Sequence, residues 1–116
     1  MKVCIAGGRD FTDYDLLCLV MSQYAEKYTL KDLIIISGMA KGADQLGYKW
    51  AKQFNVPIIS KPANWQLGKS AGFIRNKEMA AECDALIAFW DSKSSGTKHI
   101  IQTCKDLGKK VKVVFY

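Results

Sequence analysis

Five short apolar runs punctuate the chain, and between them apolar residues return every three or four positions. The runs are KVCIA (2–6), DLIIIS (32–37), VPIIS (56–60), DALIAFW (84–90) and KVKVVF (110–115), each of strand length. The second and fourth are almost continuously apolar, as parallel strands covered on both faces are. After the first run, Thr12 and Asp15 form a near capping box, and Leu17, Met21, Tyr24 and Tyr28 recur at helical spacing. A second helix is expected over about 42–54, with Ala43, Leu46, Trp50 and Phe54 as its buried stripe. A third, near 70–83, carries Phe73, Ile74 and Met79. The fourth, near 97–107, turns Ile100, Ile101, Cys104 and Leu107 inward and stops at Gly108.

Strand–helix alternation with short connections predicts an α/β fold, a doubly wound five-stranded parallel sheet with helices on both faces and right-handed crossovers. The expected strand order is 3-2-1-4-5. No repeat, low-complexity stretch or linker divides the 116 residues, so 1–116 reads as one domain.

In such sheets ligands bind beyond the carboxyl ends of the strands. Four polar, glycine-bearing clusters fall there: Gly7-Gly8-Arg9-Asp10-Phe11, Ser37-Gly38-Met39-Ala40-Lys41-Gly42-Ala43-Asp44, the stretch 62–76, and Asp91-Ser92-Lys93-Ser94-Ser95-Gly96-Thr97. Gly7-Gly8 fits a tight turn or a close approach to an anion. Ser37-Gly38 and Ser95-Gly96-Thr97 fit helix N-caps, which are also open anion sites. Trp65 fits core packing or stacking on a base, and Asp44 fits a local cap or a contact to ligand hydroxyls. His99 reads as a helix-surface residue. Gly68-Lys69-Ser70 repeats the tail of a phosphate-binding P-loop, but Ala63 holds the position of its first glycine.

The net charge of +6 favours an anionic partner, although fifteen of the seventeen basic residues are lysines that also serve solubility. The two arginines, Arg9 and Arg75, both lie in the polar clusters, and arginine suits bidentate phosphate binding. No run approaches the length of a membrane span, and the apolar part of MKVCIAGGRD is too short for a signal peptide. Cys4, Cys18, Cys83 and Cys104 show neither paired nor metal-ligand spacing, and they read as core residues of a cytoplasmic protein. No metal site and no cofactor is expected.

GGRDF, SGMAKGAD, the PANW, GK, AG and RN elements of 62–76, and LIAFWD followed by SGT together resemble the YspA-like branch of the SLOG superfamily. The likeness runs in order through almost the whole chain. It implies a Rossmann-like fold, a nucleotide-derived ligand, and a Gly68-Lys69-Ser70 that belongs to the family's own loop and is no Walker A. Many members occur in bacteria and their phages. Relative to LOG phosphoribohydrolases, Arg75-Asn76-Lys77-Glu78-Met79 resembles the arginine segment and Ser95-Gly96-Thr97 the glycine-threonine loop. The position of the catalytic glutamate, however, holds Ile100, which can neither handle a proton nor stabilise an oxocarbenium-like centre. Relative to the DNA-processing protein DprA, Ser37–Asp44 and Arg75-Asn76-Lys77 are similar, although this chain is much shorter.

The resemblance implies first a binding protein, a sensor or a sequestering protein, for an NAD-related, ADP-ribose-like or signalling nucleotide. Its contacts would come from Gly7, Gly8, Arg9, Asp10, Ser37, Gly38, Ala40, Gly42, Asp44, Trp65, Lys69, Arg75, Asn76, Asp91, Ser95, Gly96 and Thr97. The alternatives are a nucleotide N-glycosidase, with Asp10, Asp44, Glu78 or Asp91 as catalytic acid, and a binder of single-stranded nucleic acid. A homodimer is expected by analogy with LOG proteins.

Overall fold

Strands and helices alternate throughout the computed structural model, which describes residues 1–116. Strands β1 (Lys2–Gly7), β2 (Ile34–Ser37), β3 (Ile58–Ser60), β4 (Ala85–Trp90) and β5 (Lys110–Phe115) form one sheet. Every pair is parallel, as the alternation predicted, and the order is the expected β3-β2-β1-β4-β5. Helices α1 (Tyr14–Lys27), α2 (Ala43–Gln53), α3 (Ala71–Glu82) and α4 (Ser95–Asp106) make the crossovers.

The two-residue period of the strands separates two cores. Val3 and Ile5 of β1, Ile35 of β2, and Ile87 and Phe89 of β4 face α1 and α2, where Leu17, Met21 and Trp50 meet them. Their sequence neighbours Cys4, Ala6, Ile36, Leu86 and Ala88 face α3 and α4, against Met79, Ile100, Ile101 and Cys104. Each fully buried large aliphatic side chain contributes about 1.5–3 kcal/mol, and β1 and β4 spend both faces this way. Strand β5 closes one edge, with Lys110 and Lys112 exposed between the half-buried Val111 and Val113.

Element ends depart from the sequence pattern where burial and strand pairing part company. The expected second strand starts two residues late, because Leu30–Asp32 form a 3₁₀ turn and buried Leu33 ends it. The expected third strand loses Val56 and Pro57. Val56 is buried, but its amide closes the end of α2 on the Ala51 carbonyl at 2.8 Å, and proline has no amide to give. Helix α1 is capped by Asp13, whose carboxylate accepts from the Leu16 amide at 3.0 Å, in place of the expected Thr12. Ile100, Ile101 and Cys104 point inward as expected, whereas Phe54 and Leu107 are exposed; of the apolar residues of α3, Met79 is buried and Phe73 and Ile74 are exposed. Helix α4 stops at Gly108 in the left-handed region (φ +72°), with Lys109 N donating to Cys104 O at 2.9 Å and Gly108 N to Lys105 O at 3.0 Å.

Gly42 (φ +91°) is more constrained: a Cβ there would lie 2.2 Å from the Gly8 carbonyl oxygen, whereas one on Gly108 meets nothing. Gly108→Ala is therefore expected to cost about 1–2 kcal/mol, the left-handed penalty alone. Gly42→Ala adds a backbone clash to that penalty and is expected to cost clearly more. Urea unfolding midpoints of the two variants check this order.

Candidate functional site

The loop after β1 is pinned by Gly8. Its amide donates to the Phe89 carbonyl at 3.1 Å, and its carbonyl accepts from Phe11 N at 3.3 Å and Ala43 N at 3.2 Å. Arg9 and Asp10 are thereby held outward and exposed. The Tyr116 hydroxyl donates to Asp10 Oδ1 at 2.5 Å, and its ring meets Phe11 edge-on, with centroids 4.9 Å apart. Burial, followed by the neighbouring Asp10 carboxylate, raises the pKa of that phenol.

In the loop after β2, Ser37 is fully buried, donating to Asp44 O at 2.9 Å and accepting from Met39 N at 3.1 Å. Asp44, on the first turn of α2, is 5% exposed. Burial raises its pKa from 3.8 to about 6, opposed by the Arg75 guanidinium, the Ala40 and Gly7 amides, and Arg9. A Cβ on Gly38 would sit 2.6 Å from Asp44 Oδ2 and 2.7 Å from Arg75 Nη1, so only glycine leaves room for both.

Arg75 begins a hydrogen-bonded path across the site. Nη1 donates to the Gly38 carbonyl at 2.7 Å and Nε to Asn76 Oδ1 at 3.0 Å. The Asn76 amide nitrogen continues to the Gly96 carbonyl at 3.2 Å and lies 3.3 Å from His99 Nδ1. His99 is therefore half-buried between α3 and α4, not a simple surface residue, and its ring lies 4.5 Å from that of Phe73. Burial, then Lys77, lowers the pKa of the imidazole, which favours the neutral form, the one able to accept from Asn76.

The Gly68-Lys69-Ser70 stretch is no P-loop. Residues 61–70 lead from β3 to α3 through a 3₁₀ turn, Trp65–Leu67, so the strand does not run directly into the helix as it does in a P-loop. Ser70 makes no side-chain cap for α3. Trp65 is 59% exposed, which removes the core-packing alternative. In the loop after β4, Asp91 Oδ1 accepts from Lys93 N at 2.9 Å and Ser94 N at 2.8 Å, and these amides lower its pKa. Ser94 caps α4 by accepting from Thr97 N at 3.4 Å. The amides of Ser95 and Gly96 remain unpaired.

A cavity of about 460 Å³ gathers these pieces at the carboxyl edge of the sheet. From the predicted set it is lined by Gly7, Gly8, Arg9, Asp10, Ala40, Asp44, Trp65, Lys69, Arg75, Asn76, Asp91, Ser95, Gly96 and Thr97. Gly38 lines an adjoining cavity of about 530 Å³. Three predicted residues line neither. Ser37 braces the loop from below, Gly42 makes room for Gly8, and Glu78 stands exposed on α3. Sequence reasoning missed Phe73, Ser94 and Lys41 as lining residues, and Tyr116 as the residue that holds Asp10. Ile100, at the position of the expected glutamate, lines the first cavity.

Of the candidate acids, only Asp44 combines burial, a place on the cavity wall and a pKa near neutrality. The ion pairs of the protein, Lys2–Glu82 and Lys61–Glu82, lie elsewhere, so neither arginine is paired with a carboxylate. The residues group no three ligands that could hold a metal ion, all four cysteines are free, and no helix is long and apolar enough to cross a membrane.

A family model described as the YspA, cpYpsA-related SLOG family matches residues 1–68. The match takes in the loops after β1 and β2 and the chain as far as Gly68; Arg75 and the start of α4 lie beyond it. No curated protein and no solved structure matches.

A carboxyl with a raised folded-state pKa binds its proton more readily folded than unfolded. Stability contributed by Asp44 is therefore present below about pH 4 and is lost as pH rises to about 6. Asp44→Asn is expected to stabilise the protein by roughly 2–3 kcal/mol at pH 7.5 and by much less at pH 4. Urea unfolding of both proteins at the two pH values measures this.

Proposed function

The chain belongs to the YspA, cpYpsA-related SLOG family, and on that premise we propose that it binds a nucleotide-derived small molecule at the carboxyl edge of the sheet, as a sensor or a sequestering protein. The observation that carries this reading is the meeting of all four strand-to-helix loops around one cavity, with unpaired arginines and free α4 amides facing it. Its volume of about 460 Å³ falls within the range of small-molecule sites. Negative charge on the ligand meets Arg9, Lys69 and Arg75. The base stacks on the exposed face of Trp65. Sugar hydroxyls pair with the side-chain oxygens of Asp10 and Asp91, and the Ser95 and Gly96 amides receive an electronegative atom at the positive end of α4. NAD-related, ADP-ribose-like and signalling nucleotides all offer these groups.

Melting the protein against nucleoside mono- and diphosphates, NAD, ADP-ribose and its cyclic forms, cyclic dinucleotides and a short single-stranded oligonucleotide tests the reading. At about 100 times its dissociation constant the true ligand adds roughly 2.7 kcal/mol, several degrees for a domain of this size. Arg9→Ala and Trp65→Ala are each expected to abolish most of that shift. An unchanged shift in both variants, or a shift with the oligonucleotide alone, rejects the proposed site.

A second reading, hydrolysis of the N-glycosidic bond, is favoured by Asp44. A carboxyl with a pKa of about 6 can hold or release a proton near neutrality, the property a general acid needs. This reading expects release of free base or ribose phosphate, with turnover lost and ligand affinity retained in Asp44→Asn. Chromatography of long incubations of the bound nucleotide with both proteins decides it.

A further inference from the structure

The two adjoining cavities share a wall made by Arg9, Ala40, Trp65 and Arg75, so the only two arginines of the chain stand on the partition between them. Beyond that wall their charges are opposite. The first cavity holds three carboxylates, Asp10, Asp44 and Asp91, against one ammonium, that of Lys69. The second holds none. It adds Lys41 to the two arginines, and its remaining lining residues Gly38, Met39, Pro62 and Ala63 bring no polar side chain.

Building on the nucleotide-binding reading, we infer that the phosphates of the ligand occupy the second cavity, among Arg9, Lys41 and Arg75, and that the ligand is a nucleoside carrying a terminal di- or triphosphate, its nucleoside in the acid-bearing cavity. Placing a phosphate in the first cavity sets it against three carboxylates, two of them held in place as hydrogen-bond acceptors by Tyr116 and by the Lys93 and Ser94 amides. Those same carboxylates are good partners for ribose hydroxyls and amino groups. In the second cavity an anion meets no like charge from its lining.

Arg75 is already in place. It is half-buried and held by the neutral acceptors Gly38 O and Asn76 Oδ1, which leaves its positive charge uncompensated by any directly paired carboxylate and its other N–H groups available. A guanidinium fixed in this way loses little conformational freedom when it takes a phosphate. The terminal position of the phosphates follows from what the second cavity lacks: beyond the shared Trp65 it offers no hydroxyl, amide or carboxylate side chain to a second ribose and base.

Calorimetric titration with inorganic pyrophosphate tests the placement without any assumption about the base. Lys41→Gln, which removes an exposed side chain, is expected to weaken pyrophosphate binding about tenfold. Lys112→Gln on the distant edge of β5 removes the same charge and is expected to change it by less than about twofold, and Lys69→Gln in the first cavity is expected to weaken it less than Lys41→Gln does. Strong loss in Lys69→Gln with none in Lys41→Gln overturns the placement, and so does an equal loss in all three variants, which would mean only diffuse attraction. Absence of pyrophosphate binding also overturns it. In each of these cases a melting shift with a small nucleotide that Arg9→Ala abolishes leaves the broader reading standing. NAD or ADP-ribose binding more tightly than every nucleoside di- and triphosphate overturns the terminal placement of the phosphates.

Discussion

Gly8 ties three separate parts of the chain to one peptide. Its amide reaches the end of β4, and its carbonyl holds both its own loop through Phe11 and the first residue of α2. The carbonyl can take the second bond only because Gly42 brings the start of α2 into backbone contact. The first loop is therefore built with the precision of a strand pair, although it lies outside the sheet. Everything exposed on it, Arg9 and Asp10 above all, inherits that position.

From there the site is organised by carbonyls and amides more than by ion pairs. Arg75 is held by a peptide oxygen and a side-chain amide, Asp91 by two backbone N–H groups, Asp10 by a phenol, and Asn76 carries the connection from α3 to α4. Neutral partners fix a charged group in place while leaving most of its charge uncompensated. A site assembled in this way keeps its field for a ligand, where salt bridges would have cancelled it. The buried Asp44 is the exception: no neutral partner is enough to keep its carboxyl in the ordinary range, and its ionisation stays sensitive to any charge placed beside Arg75.

The parallel sheet was legible because β2 and β4 bury both faces and say so in almost continuous apolar runs, whereas the strand order came only by analogy with such folds. Strand ends were less legible. Leu33 and Val56 are as apolar as their neighbours, yet the backbone of one ends a 3₁₀ turn and that of the other closes a helix, and side-chain pattern carries no record of where an amide is spent. Phe54 was expected in a buried stripe and is exposed, because helical spacing marks a face without naming what covers it, and of the apolar residues of α3, Phe73 turns to the cavity and His99. The loops could be found from their glycines and their place after strands. Lys41 had no such signal among fifteen lysines, and Tyr116 meets Asp10 across 106 positions of chain, a distance no local motif spans.

Strand β5 gives the scattered lysines a role that charge alone did not suggest. Its outer row of peptide groups has no neighbouring strand, and a bare edge of that kind is a template for the edge of another molecule. Lys110 and Lys112 stand exposed along it, so two molecules brought together there would have to press ammonium groups against each other and strip them of water. The alternation KVKVVF thus does two things at once: its valines pack inward against the sheet's neighbours, and its lysines set charge beside an edge that is otherwise open to another strand.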